Sequence, residues 1–164
     1  MKTSKLIVLR GNSGSGKSTV AKRLREVSDH RIAIIEQDYL RRFVLKEKET
    51  EGENNIDLIF TTVVFALERN YDVVLEGILH FPRYSKMLQK LIKNCPDNHF
   101  YYFDVSLAET LRRHSSKQTY EFGEKEMREW YKPHDITNFQ GERIIPEEYT
   151  LEETVKMIIE DAQL

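Results

Sequence analysis

Eight consecutive residues, Gly11-Asn12-Ser13-Gly14-Ser15-Gly16-Lys17-Ser18, constrain this chain more than anything else in it. They match G-x-x-x-x-G-K-[ST], the Walker A pattern, in full, and Thr19 follows. The apolar run Leu6-Ile7-Val8-Leu9 precedes them, as expected of a strand buried on both faces. Behind them, Val20, Ala21 and Leu24 line one face of a helix running from Lys17 to about Val27. A strand that turns through glycines into a helix points successive backbone N–H groups at one spot. The helix N-terminus adds positive potential there. Such a loop cradles phosphates: Lys17 reaches the β- and γ-phosphates, and the Ser18 hydroxyl is offered to Mg²⁺. A glycine-rich turn that merely contains Lys-Ser would need strand and helix in register with it by accident. The ligand implied is a nucleoside triphosphate, with residues 11 to 19 as its binding set.

The remaining chain alternates in the same way. Short apolar runs at Ile32–Ile35, Asp72–Glu76, His99–Val105 and Arg143–Ile145 read as strands. Between them, helices are expected at Asp38–Leu45 (short), Ile56–Glu68 and Tyr84–Lys93, with capping-box spacing starting further ones at Ser106 and Thr150. Five strands alternating with helices predict an α/β sandwich with a mostly parallel sheet, whose ligands sit beyond the carboxyl ends of the strands. A length of 164 residues suits one domain, 1–164. With 25 Lys+Arg against 27 Asp+Glu, the net charge of −2 removes the bulk electrostatic case for a general nucleic-acid or membrane-surface binder, while leaving room for a local basic groove. The single cysteine, Cys95, cannot form an intramolecular disulfide. No stretch approaches the ~20 apolar residues of a membrane span, and the N-terminal apolar run is too short for a signal peptide, so a cytoplasmic location is expected. The stretch Lys46–Asn55 has no apolar residue and reads as a solvated loop or as a lid over an acceptor.

Two carboxylates fall where the chemistry needs them. Asp38 follows the second strand and Glu76 ends the third. Either can accept a hydroxyl proton or hold Mg²⁺; the plain alternative for both is a turn or cap carboxylate. Glu36 is a weaker candidate base. Arg41 and Arg42 face either an anionic acceptor or solvent, and Asp104 reads as a turn residue rather than a metal ligand. From about Ser115 to Gly141 the pattern breaks into a charge-rich stretch that reads as a lid. Arg113, at its start, and Arg128, within it, are the candidates to meet the transferring phosphate, while Trp130 and Tyr131 read as packing.

Motif and layout together resemble the small P-loop kinases of the nucleoside monophosphate kinase-like fold, including gluconate kinase, shikimate kinase, chloramphenicol phosphotransferase and zeta-toxin-like kinases. The resemblance covers essentially the whole chain and implies a three-layer sandwich with a five-stranded parallel sheet of order 2-3-1-4-5 and a helical lid. It places an acceptor over strands 2 and 3, with Asp38 in EQDYL as the acceptor-side carboxylate, Glu76 in VVLEGIL at the acidic strand-3 position and Arg113 in ETLRRH at the lid's start. It also places the loop Gly141–Pro146 beside the adenine. Glu76 stands where Asp is commoner, which weakens a direct metal-ligand role. The function implied is ATP- and Mg²⁺-dependent transfer of the γ-phosphate to a hydroxyl of a small molecule, by a monomer or weak homodimer, with Lys17, Asp38, Arg113 and Arg128 as the catalytic set and Ser18 and Glu76 toward the metal. Two other functions compete. A 5′-hydroxyl polynucleotide kinase would need a basic, aromatic-bearing channel, and the lysines and arginines of residues 38–60 alternate with Glu47, Glu49, Glu51 and Glu53. A nucleotide-dependent switch of the guanine-specific kind usually carries N-K-x-D, which does not occur here.

Overall fold

The computed structural model describes residues 4–48, 54–116 and 122–164. Its sheet has five strands: β1 (Leu6–Gly11), β2 (Ile32–Glu36), β3 (Asp72–Gly77), β4 (Asn98–Asp104) and β5 (Arg143–Pro146). The spatial order is β2-β3-β1-β4-β5 and every pairing is parallel. This is the order the resemblance implies. Helices α1 (Lys17–Val27), α2 (Asn54–Glu68), α3 (Phe81–Asn94), α4 (Leu107–Ser115), α5 (Glu124–Trp130) and α6 (Leu151–Ala162) complete the sandwich. No helix among the described residues is long and apolar enough to cross a membrane.

The central strand explains the two-sided core. Along β1, Leu6 and Val8 point to one face and Ile7 and Leu9 to the other, as the period of two requires. The first face packs against Ile59 and Val63 of α2 and Leu88 and Leu91 of α3; the second packs against Val20 and Leu24 of α1 and Val155 and Ile158 of α6. All four β1 side chains are fully buried, which is why the run carries no polar alternation. Ser106 and Thr150 cap α4 and α6 as their spacing predicts, each accepting from the backbone N–H three residues on.

Two local features depart from expectation. The strand expected to end at Ile35 continues to Glu36, which lies beside Glu76 in register, and the next segment is a π-helical turn, Tyr39–Val44, rather than an α-helix. The lid expected over 115–141 divides in two. Its first part carries α5, and residues 117–121 lie outside the described residues, as do 49–53 of the polar loop. Its second part, from Tyr131 on, is not a free flap. Phe139 packs edge-on against Phe81 and Phe100. Thr137 is buried, and Asp135 and Glu142 pair with a buried arginine of β1. The mixed composition of this stretch concealed the few apolar anchors that tie it down.

Candidate active site

The loop Gly11–Gly16 joins β1 to α1, and Gly14 within it is required by space. Gly14 has φ +78°, and a Cβ there would stand 2.8 Å from the Thr110 carbonyl oxygen and 3.0 Å from Met127 Cε. The loop is thus overlaid by α4 and α5 so closely that only glycine fits. Lys17 is buried, and its ammonium donates to Asn12 O at 2.8 Å and Ser15 Oγ at 3.2 Å, so it lies across the cradle it opens. Asn12 fastens the loop from outside: its amide donates to Lys132 O at 2.7 Å and accepts from Lys132 N–H at 2.9 Å.

Ser18 donates its hydroxyl proton to Glu76 Oε1 at 2.6 Å. Glu76 is buried at the end of β3, and that burial raises its pKa despite the nearby Lys17 ammonium and the Ser18 hydrogen bond; the charges of Glu36 and Asp38 push the same way. A hydroxyl and a buried carboxylate short of positive charge, beside the phosphate cradle, form a hard-oxygen set that suits Mg²⁺, which commonly takes one or two protein oxygens and completes its shell with phosphates and water. The Glu in place of Asp does not move the carboxylate away from Ser18. No cluster of three or more His, Cys, Asp or Glu among the described residues is arranged to hold a metal by itself. Asp104 instead lies 3.2 Å from His134.

Two clefts are lined in part by residues of the loop. One, of about 450 Å³, is lined by Gly14, Gly16, Thr19, Arg113, Pro146 and Tyr149 among others, so the end of the Gly141–Pro146 loop does reach it. Arg113 spans this cleft, with Nε on Glu109 at 2.7 Å, Nη1 on Ser15 O at 3.0 Å and Nη2 on Glu147 O at 3.0 Å. Arg112 and Arg113 together hold the Glu109 carboxyl down at about 2. The second cleft, of about 560 Å³, is lined by Ser13, Asp38, Arg41, Arg42, His80 and Lys132 among others. Asp38 begins the π-helical turn, where Arg41 Nη2 lies 2.9 Å and Arg42 Nη1 3.7 Å from its carboxylate.

The structure therefore brings together Lys17, Ser18, Glu76 and Arg113 around the loop, with Asp38 across the second cleft. It does not bring Arg128 there: that side chain is exposed, donates twice to Glu124 and lines neither cleft. An i,i+4 pair within α5 accounts for it. Trp130, expected only to pack, does meet Phe122 edge-on, but it also lines the second cleft.

Sequence reasoning missed Arg10, Gln37 and Lys132. Arg10 is fully buried at the end of β1, where it pairs with Asp135 and Glu142 and donates to Leu79 O. A charged residue closing an otherwise apolar strand was the available signal. Gln37 is buried too, donating to the Tyr84 hydroxyl and accepting from Leu79 N–H. Gly77 makes room for it, since a Cβ there would fall 2.5 Å from Gln37 Oε1. Lys132 is placed by its own backbone through Asn12, a pairing that leaves no trace in local sequence.

A parallel five-stranded sheet in this order, a Walker A loop at its central strand and a helical cover define the fold of the small P-loop kinases. An AAA domain family model matches residues 6–132, and the chain belongs to that family. Among solved structures, the APS kinase of Mycobacterium tuberculosis, in complex with AMPPNP and APS, shares 16% identity over 100% of both chains, with a TM-score of 0.77. A gluconokinase from Sinorhizobium meliloti shares 17% identity over 99% of this chain and 94% of its own, with a TM-score of 0.67. A chain of the Pnkp1/Rnl/Hen1 RNA repair complex shares 20% identity over 79% of this chain and 43% of its own, with a TM-score of 0.60. No curated protein matches the chain in sequence.

Proposed function

We propose that the protein transfers the γ-phosphate of ATP to a hydroxyl group of a small molecule. The observation that carries this reading is the pair of clefts that share one phosphate loop, with Gly14 and Gly16 lining one and Ser13 the other. A protein that only binds and releases nucleotide needs the first cleft; one that transfers phosphate needs both. ATP lies in the first, with its phosphates in the cradle and its terminal phosphate directed toward Ser13.

Each residue then has a defined task. Backbone N–H groups of Gly11–Lys17 hold the phosphates, and the Lys17 ammonium exchanges Asn12 O and Ser15 Oγ for phosphate oxygens. Ser18 and Glu76 would hold Mg²⁺, which when bound neutralises charge on the β- and γ-oxygens. Arg113 fixes the distance between the loop and the wall carrying Glu147, so it acts as a positioning residue for the nucleotide in this conformation. Asp38 orients the acceptor hydroxyl and takes its proton. Two neighbouring guanidiniums, at 2.9 and 3.7 Å, hold its carboxylate in place. Phosphoryl transfer through a loose transition state depends chiefly on alignment and electrostatics.

The test is transfer of labelled γ-phosphate to a panel of hydroxyl compounds, with product detected by mass. Lys17→Ala should abolish transfer in a folded protein. ATP consumption by this variant equal to that of the parent would exclude the loop from the chemistry.

A further inference from the structure

Trp130 serves the second cleft as well as the packing of its own helix. It ends α5, where its ring meets that of Phe122 edge-on with centroids 5.1 Å apart, yet 39% of the residue stays exposed and it lines the cleft. An indole left this open at a concave site is apolar surface that folding has not used. Its position is fixed by its neighbours. Phe122 stacks on His114 of α4 with centroids 4.9 Å apart, and the Arg42 guanidinium lies 5.7 Å from the centre of the same Phe122 ring. Three residues before Trp130, Met127 is buried, with its Cε only 3.0 Å from where a Cβ on Gly14 would stand. One residue after it, the Tyr131 hydroxyl donates to Val105 O at 3.1 Å. The indole is thus held in register with the phosphate loop, and a ring laid on it meets a surface already in place.

Several polar groups of the same cleft are engaged with one another. Asp38 faces Arg41 and Arg42, at 2.9 and 3.7 Å. Arg41 also donates to Glu47 O at 3.2 Å, and the Glu47 carboxylate accepts from Asn54 Nδ2 and from the backbone N–H and Nδ2 of Asn55. A sugar or an open polyol buries several hydroxyls, each of which needs a hydrogen-bond partner. Recruiting these groups would break bonds the fold already makes. An aromatic ring asks instead for a flat apolar face, which Trp130 supplies, with the half-buried Ile78 also on the lining.

We infer that the phosphoryl acceptor is an alcohol or phenol bearing an aromatic ring, which lies against Trp130 while its hydroxyl reaches Asp38. This deepens the phosphotransfer reading and rests on it. The acceptor oxygen forms its bond to the γ-phosphorus as the bond to the β–γ bridging oxygen breaks; ADP leaves, and the hydroxyl proton passes to Asp38. Trp130 selects the acceptor by its ring, and Asp38 acts on the one hydroxyl that the ring's seat brings to it.

The test uses Trp130, the only tryptophan in the chain, as a fluorescence reporter. The protein is first saturated with Mg²⁺ and a non-hydrolysable ATP analogue, so that the nucleotide cleft cannot take the probe. It is then titrated with 2-phenylethanol, 4-hydroxybenzyl alcohol and uridine, and with glycerol, glucitol and methyl glucopyranoside as counterparts without an aromatic ring. At least one aromatic probe should change the Trp130 signal saturably, and the others should not. By calorimetry, Trp130→Ala should weaken binding of that probe about fivefold or more, and Trp130→Phe should restore most of it. Affinity for the ATP analogue should stay within about twofold of the parent in both variants, because Trp130 lines only the second cleft. The inference is overturned if no aromatic probe binds, if the polyols or the pyranoside bind equally well, or if Trp130→Ala leaves probe affinity unchanged. A Trp130→Ala variant that loses the ATP analogue together with the probe overturns it too, since Trp130 would then only seat α5 on the phosphate loop. So does a 5′-hydroxyl oligonucleotide that binds more tightly as its length grows, which would make the cleft a polynucleotide channel. Failure of the phosphotransfer reading looks different: aromatic probes bind as described, and no hydroxyl compound is ever phosphorylated.

Discussion

Arg10→Ala removes a guanidinium that no solvent reaches. In the folded protein it donates twice to Leu79 O, at 3.2 and 3.1 Å, once to Asp135 Oδ2 at 2.9 Å and once to Glu142 Oε1 at 3.1 Å. Alanine leaves two carboxylates without their cation. Glu142, whose side chain is only 4% exposed, keeps the Thr137 N–H at 2.6 Å but cannot find water where it stands. Asp135, at 15%, keeps the Phe81 N–H as a donor. Breaking a buried ion pair by removing one partner costs about 3–5 kcal/mol, and partial relief at Asp135 places this case near the lower end. In a domain of this size each kcal/mol lowers Tm by about 2–4 °C, so a fall of about 6–12 °C is expected by calorimetry. The Arg10→Met, Asp135→Asn, Glu142→Gln triple variant removes the stranded charges with the cation and should recover most of that loss. Because Asp135 and Glu142 belong to the segment following Lys132, Arg10→Ala should also open residues 131–142 to proteases. A loss under about 1 kcal/mol in Arg10→Ala, or no recovery in the triple variant, would refute the argument that this network is what holds the segment to the sheet.

Glu76 has its pKa raised by burial, so its folded form holds a proton more tightly than the unfolded chain does; stability from this group falls as pH rises through and above the ordinary carboxylate range. Glu76→Gln should therefore be more stable than the parent at pH 7 and no more stable below about pH 4, while losing transfer activity; equal denaturation midpoints at both pH values would contradict this. Asp38→Asn should leave ATP affinity intact, measured by calorimetry, and lower transfer by about 10²- to 10⁴-fold, whereas full activity would move the proton-accepting role to Glu36 or Glu76. Arg113→Ala should weaken ATP binding as well as transfer, because it unties Ser15 from Glu147, and Arg128→Ala should leave both unchanged; the opposite ranking would mean that α5 swings in to deliver Arg128 during turnover.

What could be read along the chain was whatever is encoded over a few neighbouring residues. Leu6–Leu9 reads as a buried strand because all four side chains need the same environment, and the Walker A residues read as a cradle because the loop, helix start, lysine and hydroxyl are contiguous. Ser106 and Thr150 announce their helices through a partner three positions away. What local sequence does not show is a partner that is remote, or which of several near partners a side chain takes. Arg128 looked like any other lid cation, and only its geometry shows that Glu124, one turn earlier, takes its guanidinium. The stretch from Tyr131 to Gly141 looked loose because its anchors lie on β1, α3 and β4: Arg10, Phe81, Phe100 and Tyr102, the last receiving Asp135 N–H at its hydroxyl.

The acceptor side shows the same limit more sharply, because its character is a sum over elements. Arg41 and Arg42 come from the turn after β2, His80 from the entrance to α3, and Lys132 from the end of the lid segment. In sequence, Arg41 and Arg42 are followed by a polar loop in which Glu47, Glu49, Glu51 and Glu53 alternate with the lysines. The fold holds Glu47 against Asn54 and Asn55, where it stays ionised, and it adds Lys132 through a hydrogen-bonded pair with Asn12, more than a hundred residues away in the chain. The pairing also ties the phosphate loop to the Lys132 side of the second cleft. Asn12→Ala should therefore impair acceptor recognition although Asn12 lines neither cleft, which is the signature of a residue that positions rather than contacts.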